Sequence, residues 1–182
     1  MGTDVNIILC GFKSCGKTTI GQQTSKLLQR EFTDVDDLCE RLYLDKMGDP
    51  RLCREIFLTH GEQYFRDLER AAIQGIDTDN ALIATGAGAV LDPRSVAKLK
   101  EKGIFIYLRL NSEILKKRLL KGVLPAYLDV SNPDESFEKM FDERKNIYEQ
   151  IADGELDVSF LSIAESAETL CNTVQELMRP YV

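Results

Sequence analysis

The sequence predicts an α/β fold, with helices on both faces of a mostly parallel sheet of about five strands. Short, unbroken apolar runs rich in β-branched residues alternate along the chain with segments whose apolar residues recur at helical spacing. Such alternation produces parallel strands joined by helical crossovers, which stack into three layers. The 182 residues are the size of one domain, and no Pro-, Gly- or Ser-rich linker divides them. We therefore expect a single domain over residues 1–182.

Five segments have the pattern of strands. The first is a continuous apolar run, VNIILC, which is typical of a strand buried on both faces of a parallel sheet. The run IFIYLR is the next clearest, and ALIAT ends at a glycine turn. The predicted strands are Val5–Cys10, Phe32–Val35, Ala81–Thr85, Ile104–Arg109 and Leu156–Phe160.

The segments between these strands carry helical periodicity and helix-start signals. Asp92-Pro93 and Asn132-Pro133 each place a capping side chain before a proline at the first helical position, and Asn111 or Ser112 can cap another helix. Between the second and third strands, apolar spacing predicts several helices, one beginning just after Gly61. Further helices are marked by Ile20 and Thr24, by Phe137 and Met140, and by Leu170 and Val174.

The composition disfavours several classes of protein. Lys and Arg total 23 against 30 Asp and Glu, a net charge of −7, whereas binding to nucleic acid or acidic membranes normally needs a basic surface. No apolar run approaches the ~18 residues of a membrane span, and no signal-like segment opens the chain. Five cysteines without a C-x-x-C pair, and one histidine, make a zinc site improbable. We expect a soluble cytoplasmic monomer that binds neither nucleic acid nor membranes.

The strongest motif follows the first strand. Residues 11–18, GFKSCGKT, match G-x-x-x-x-G-K-[ST], in which glycines let backbone N–H groups face a phosphate at a helix N-terminus. Lys17 can reach the β- and γ-phosphates, and the Thr18 hydroxyl can ligate Mg²⁺. No N-K-x-D guanine element is present, and no apolar strand ends in the usual metal-binding Asp. The nucleotide-binding residues predicted here are Gly11, Lys13, Ser14, Cys15, Gly16, Lys17, Thr18 and Thr19.

Other candidate residues each allow two interpretations. Asp34 and Asp36 would lie on one side of an extended backbone. One could then hold a metal-bound water while the other accepts a proton or a hydrogen bond from a substrate hydroxyl, or both could belong to a solvated turn. Arg66 and Glu69 share a helix face, where spacing alone favours a surface ion pair over a site. Gly86-Ala87-Gly88 can let a ligand approach the backbone closely, or it can form only a tight turn. Arg144 lies in a charged helix, as a solvated residue would.

Five motifs in order resemble the shikimate kinase family, a small group of nucleoside-monophosphate-kinase-like P-loop proteins. They are GFKSCGKT, FTDVD, GEQYFRDLE, GAG and RKNIYEQIAD, which together span the chain from about Val5 to about Asp153. The resemblance implies a five-stranded parallel sheet in the order 2-3-1-4-5. It also implies a substrate-binding segment at about residues 34–75 and a closing lid at about residues 119–133.

The resemblance also implies a role for each matched residue. Asp34 would join Thr18 at the metal, Asp36 would bind and deprotonate the 3-hydroxyl of shikimate, and Lys17 would stabilise the transferred phosphoryl group. The remaining matches concern substrate contacts: Arg66 and Arg144 on the shikimate carboxylate, Glu69 orienting Arg66 or a hydroxyl, Gly86 and Gly88 against the ring, and Arg118 stacked on adenine.

The chain departs from the family pattern at two places. A triple-glycine turn becomes Gly86-Ala87-Gly88, which is tolerable if the φ angle of Ala87 is negative. The lid motif has Leu124 where the family has an arginine; Lys116, Lys117, Arg118 and Lys121 are candidate substitutes.

The implied activity is ATP-dependent phosphorylation of the shikimate 3-hydroxyl, giving shikimate 3-phosphate and ADP with Mg²⁺, in aromatic amino acid biosynthesis. Two alternatives stay open at this stage. One is a related sugar-acid kinase such as a gluconate kinase. The other is a kinase-like binding module with reduced turnover, because its lid arginine is missing.

Overall fold

A computed structural model describes residues 5–121, 125, 128 and 131–179. Five parallel strands form one sheet in the order β2-β3-β1-β4-β5. The predicted fold class and strand order are therefore confirmed. The strands are β1 (Asn6–Cys10), β2 (Glu31–Asp34), β3 (Ala81–Ala84), β4 (Gly103–Arg109) and β5 (Gly154–Asp157).

Seven helices flank the sheet within the described residues, and two of them begin at a side-chain cap predicted from sequence. Asp92 accepts from the Arg94 N–H before α4, and Asn111 accepts from the N–H groups of Glu113 and Ile114 before α5. Pro133 opens α6 as predicted, but Asn132 makes no side-chain cap hydrogen bond, because its amide donates to the Glu135 carboxylate instead. None of the described helices is both long and apolar enough to cross a membrane. The helices are α1 (Lys17–Leu28), α2 (Val35–Met47), α3 (Cys53–Gln74), α4 (Pro93–Lys102), α5 (Ser112–Lys121), α6 (Pro133–Ile151) and α7 (Ile163–Leu177).

Strand β1 occupies the centre of the sheet and sets where the cleft opens. All five of its residues are buried, and Ile8 is paired with Ile83 of β3 on one side and Phe105 of β4 on the other. Helix α1 packs against α7, and α2 packs against α3. Because all strands run the same way, the loops that follow β1, β2 and β3 meet at one edge of the sheet.

Two predicted strand boundaries were wrong. Val35 does not end β2 but begins α2, because the Asp34 side chain accepts a hydrogen bond from the Asp36 N–H and caps the helix. The last strand lies earlier than predicted, at Gly154–Asp157. It ends there because the Asp157 carboxylate accepts from the Ser159 N–H at 2.9 Å, which turns the chain away from the sheet.

Gly61 interrupts α3 at the place where a separate helix was predicted to begin. Its φ of 82° and ψ of 174° are non-helical, so Cys53 and Arg66 lie on segments with different directions. This kink lets one continuous stretch of chain line one cleft with two segments, within residues 53–57 and 65–69.

Gly21→Ala is expected to destabilise the protein, although alanine is the better helix former. A Cβ at Gly21 would lie 2.6 Å from Phe32 and 3.0 Å from Leu82, between α1 and the sheet. Overpacking of this kind costs about 1–3 kcal/mol, which exceeds the ~1 kcal/mol gained in helix propensity. Gly75→Ala is the matched control, because its nearest neighbours are 3.5 Å away. Urea unfolding of both variants tests this; equal stabilities would contradict it.

Candidate active site

A cavity of about 330 Å³ opens where the loops after β1, β2 and β3 meet. Its lining residues come from four separate motifs of the sequence, and no single motif predicted that they would share one cavity. Twelve of the predicted site residues line it: Lys13, Ser14, Gly16, Lys17, Thr18, Thr19, Asp34, Asp36, Arg66, Glu69, Gly86 and Gly88. The other four, Gly11, Cys15, Arg118 and Arg144, lie around it.

The phosphate loop has the backbone conformation that its glycines predict. Gly11 and Gly16 have φ angles of 144° and 104°, a region that favours glycine. A Cβ on Gly11 would also lie only 2.8 Å from the Leu108 carbonyl oxygen. Below the loop, the Phe12 ring stacks on Phe141 with centroids 4.8 Å apart. The loop is therefore supported by α6 as well as by β4.

Lys17 is folded back onto this loop. Its ammonium group donates to the carbonyl oxygens of Gly11 and Phe12, both at 2.9 Å, and the residue is buried. Cys15 is buried behind the loop. Arg118 lies on its outer flank, exposed, and donates to the Ser14 carbonyl oxygen at 3.1 Å. These positions place positive charge on both sides of the phosphate-binding backbone.

The two aspartates lie in the cavity for a different reason from the one predicted. They do not share an extended backbone, since Asp34 ends β2 and Asp36 is in the first turn of α2. The Asp34 carboxylate accepts from the Thr18 hydroxyl at 2.7 Å and from the Asp36 N–H at 3.0 Å. Helix capping, rather than strand alternation, brings both carboxylates to the phosphate loop.

Asp36 has the properties of a proton acceptor. Partial loss of hydration in the cleft, where the residue still reaches solvent, and secondarily the negative charge of Asp34, raise the pKa of its carboxyl above the ordinary value. Lys17 and Lys13 act in the opposite direction with smaller effect. A carboxylate with a raised pKa is a stronger base, as proton abstraction from a hydroxyl requires.

Arg66 is partly buried and Glu69 is fully buried, so the surface ion pair favoured by their spacing was wrong. The Arg66 guanidinium donates to the Glu69 carboxylate at 2.6 Å, and Glu69 is 2% exposed. Burial raises the pKa of the Glu69 carboxyl, and the positive charge of Arg66 opposes that rise. The contact fixes the direction in which the guanidinium faces the cavity.

The glycine turn leaves space for that pair. Neither Gly86 nor Gly88 has a positive φ. A Cβ on Gly86 would overlap a Glu69 carboxylate oxygen, and a Cβ on Gly88 would overlap the Arg66 guanidinium. Ala87 is not among the non-glycine residues that have a positive φ, which is the condition under which an alanine is tolerated in this turn. The two glycines therefore allow close approach rather than an unusual turn.

Arg144 is buried in α6 and is not the solvated residue that its charged helix suggested. It does not line the cavity, but its positive charge opposes, to a small extent, the rise in the Glu69 pKa that burial causes. One turn further along α6, the Tyr148 hydroxyl donates to the Ala87 carbonyl oxygen at 2.7 Å. Helix α6 thus holds the glycine turn in place from behind.

Several lining residues were not predicted as site residues. Phe57 and Phe65 form an apolar wall and had only the signal of core residues, while Thr85 lies beside the glycine turn. Cys53 and Arg54, at the start of α3, carried no sequence signal for a site. Of the predicted lid, Pro125 lines the cavity, whereas Leu124 lies outside the described residues.

The oxygen groups near the phosphate loop fit a magnesium ion that is shared with a nucleotide. Mg²⁺ prefers oxygen ligands, keeps several waters and usually takes one or two carboxylates plus substrate phosphates. The Thr18 hydroxyl and the largely buried Asp34 carboxylate, 2.7 Å apart, are such a pair. Among the described residues, no group of three or more His, Cys, Asp or Glu could hold a metal alone.

Comparisons with known proteins agree on one family. The family model described as shikimate kinase matches residues 13–175. The chain is 36% identical over 178 residues to a shikimate kinase of Caldanaerobacter subterraneus, covering 97% of this chain and 96% of that protein. It is also 36% identical over 164 residues to the shikimate kinase of Thermoanaerobacter pseudethanolicus, covering 90% and 92% of the two chains.

Solved structures give the same result. The shikimate kinase of Acinetobacter baumannii in complex with shikimate superposes with a TM-score of 0.85, at 28% identity, covering 97% of this chain and 96% of that one. A shikimate kinase structure from Bacteroides thetaiotaomicron, at 24% identity and a TM-score of 0.77, shares the fold. With the motifs, the sheet order and these likenesses in agreement, this chain belongs to the shikimate kinase family.

Proposed function

We propose that this protein transfers the γ-phosphoryl group of ATP to the 3-hydroxyl of shikimate, giving ADP and shikimate 3-phosphate. One observation carries the proposal: a single cavity joins the phosphate loop to Asp36 and to the Arg66–Glu69 pair. The first element recognises a nucleotide phosphate, the second accepts a hydroxyl proton, and the third holds a carboxylate. A carboxylated polyol such as shikimate needs all three.

The transfer itself depends mainly on position and charge. Asp36 would accept the proton of the attacking hydroxyl, whose oxygen forms the new P–O bond as the bond to the ADP oxygen breaks. Lys17, leaving the carbonyl oxygens that it contacts here, would stabilise negative charge on the transferred group. When bound between Thr18 and Asp34, Mg²⁺ would neutralise charge on the β- and γ-phosphates.

Arg66 would bind the carboxylate of the acceptor from the cavity wall, and Arg144, which does not line the cavity here, would turn towards the same carboxylate. The planar guanidinium group donates two parallel hydrogen bonds to a carboxylate, a geometry that lysine cannot supply. Glu69 would keep Arg66 oriented, since the Arg66 guanidinium donates to its carboxylate at 2.6 Å. Arg118, which donates to the Ser14 carbonyl oxygen, would contact the base of the nucleotide.

Gly88→Ala is expected to raise the KM for shikimate with little change in the KM for ATP. The added Cβ would overlap the Arg66 guanidinium, which must move away from its present position. Displacement of this kind costs about 1–3 kcal/mol, or roughly 5–150-fold in affinity. Ala87→Gly is the matched control in the same turn. Steady-state kinetics with both substrates test the prediction, and an unchanged shikimate KM for Gly88→Ala would refute it.

An acceptor panel tests the proposed function directly. ADP release, measured by a coupled assay with MgATP, should be stimulated by shikimate and not by gluconate or other sugar acids. Stimulation by gluconate alone would favour the sugar-acid kinase. Normal calorimetric binding of ATP and shikimate with negligible kcat would favour a binding module instead.

The remaining expectations also belong to this proposal. We infer a monomer located in the cytoplasm, acting on small molecules and binding neither nucleic acid nor membranes, in keeping with a net charge of −7. Light scattering of the purified protein tests the monomer, since a mass well above 20.6 kDa would contradict it.

A further inference from the structure

Arg54 is a cationic residue in the active-site cavity with no assigned role. It lines the same cavity as Lys17, Asp36 and Arg66, and it is exposed. It lies in the first turn of α3, on the segment before the Gly61 kink, whereas Arg66 lies on the segment after it. The two arginines therefore enter the cavity from different parts of the helix.

Two contacts fix the start of α3 beside the proposed base. The Cys53 N–H donates to the Glu40 carboxylate at 2.9 Å, and the Cys53 thiol donates to the Asp36 carbonyl oxygen at 3.4 Å. Both acceptors belong to the first half of α2, so the first turns of the two helices are joined. Arg54, the next residue, is thus held at the hydroxyl end of the cavity rather than at the carboxylate end.

The position of Arg54 is unfavourable for the helix itself. The N-terminal turn of a helix carries partial positive charge and favours acidic side chains, such as the Glu55 that follows. An arginine there opposes the helix dipole. A residue that breaks a local rule in this way, on the wall of an active site, is an indication of function.

The balance of charges in the cavity indicates a role for Arg54. Among the described lining residues, four cations (Lys13, Lys17, Arg54 and Arg66) face three carboxylates (Asp34, Asp36 and Glu69). Phosphoryl transfer moves an anionic group towards Asp36, while Arg66 is already in contact with Glu69. Without Arg54 the lining would have no excess positive charge to receive that group.

We infer that Arg54 is a substrate-contacting residue that binds the phosphoryl group as it reaches the acceptor hydroxyl. Its guanidinium would donate charge-assisted hydrogen bonds to the phosphoryl oxygens, at the side of the cavity next to Asp36. The inference rests on the proposed function. It adds a contact to the acceptor phosphate, separate from Arg66 at the carboxylate.

The test compares Arg54→Ala and Arg54→Lys with Arg41→Ala, an exposed arginine of α2 outside this cavity. We expect Arg54→Ala to lower kcat by about tenfold or more and to weaken shikimate 3-phosphate binding by a similar factor. Calorimetry without nucleotide should show shikimate affinity within about threefold of the wild type. Arg54→Lys should fall between the wild type and Arg54→Ala, and Arg41→Ala should match the wild type.

The unfolding temperature of each variant separates a contact from a structural role. Kinetics and calorimetry are run well below the lowest of these temperatures, so that a loss in Arg54→Ala reports the missing contact and not unfolding. Equal weakening of shikimate and shikimate 3-phosphate, or no change in either, would overturn the inference. If the wild-type protein shows no shikimate-dependent ADP release, the proposed function fails instead, so the two failures are distinguishable.

Discussion

Replacing Asp36 by asparagine is expected to lower kcat by about 10²–10⁴-fold, the usual contribution of a general base. The amide keeps the size and polarity of the side chain but cannot accept the proton of the acceptor hydroxyl. The KM for ATP should change much less than kcat, because the proton that Asp36 accepts comes from the acceptor and not from the nucleotide. Asp37→Asn is the matched control, since Asp37 shares the first turn of α2 without lining the cavity.

The pH dependence of the wild-type enzyme gives a second measurement on the same residue. Asp36 must be ionised to act, and its pKa is raised above the ordinary 3.8 by loss of hydration and by Asp34. The fall of kcat/KM on the acid side should therefore begin at a higher pH than an unperturbed carboxyl would give. In Asp36→Asn that acid limb should disappear. Its persistence would assign the limb to another group.

The same substitution should stabilise the fold at neutral pH. A carboxyl whose pKa is raised in the folded state binds its proton more tightly there than in the unfolded chain. Its contribution to stability is greatest at low pH and is lost as the pH rises through the folded-state pKa. Asp36→Asn should thus unfold at a higher temperature than the wild type at pH 7, with a smaller difference at pH 4. A variant that is less stable at pH 7 would contradict this assignment of the charge.

Lys17→Met is expected to lower kcat by at least about 10²-fold, as for loss of one preorganised charge at a reacting group. Lys17 is the buried cation of the phosphate loop, and its ammonium group is within 2.9 Å of two loop carbonyl oxygens. Methionine keeps much of the apolar stem while removing the charge. We expect the loss in kcat to exceed the loss in ADP affinity, because negative charge develops on the transferred group.

Lys26→Met is the control for this variant, since Lys26 lies in the last turn of the same helix and is exposed. Calorimetry with ADP and steady-state kinetics with ATP provide the two measurements. Equal losses in ADP affinity and kcat would mean that Lys17 acts in nucleotide binding alone.

Much of the fold could be predicted because its signals are local. The unbroken apolar runs of β1 and β4 and the Asp92-Pro93 start of α4 depend on residues close together in sequence. The end of β2 could not be predicted, since the apolar residues Phe32 and Val35 suggest a strand that continues to Val35. It depends on a competition between strand pairing and the hydrogen bond from the Asp36 N–H to the Asp34 carboxylate.

The candidate site also has one part that local sequence could predict and another part that it could not. Most of the predicted phosphate-loop residues line the cavity, because the positive φ angles of Gly11 and Gly16 are set within the loop itself; Gly11 and Cys15 do not line it. The spacing of Arg66 and Glu69 predicted the correct ion pair but placed it at the surface, since spacing carries no information on burial. Arg54 had no signal, because its place in the cavity follows from the packing of α3 on α2 through Cys53.

The sequence by itself determined that this chain alternates strands with helices and that it carries a phosphate-binding loop. Those properties arise from hydrophobic periodicity and from glycines acting on their neighbours. Only the tertiary structure decided how the acceptor side is built, where the Tyr148 hydroxyl meets the Ala87 carbonyl oxygen 61 residues away. Gly86 and Gly88 are required there by the side chains that pack against them, and such distant contacts leave no periodic trace along the chain.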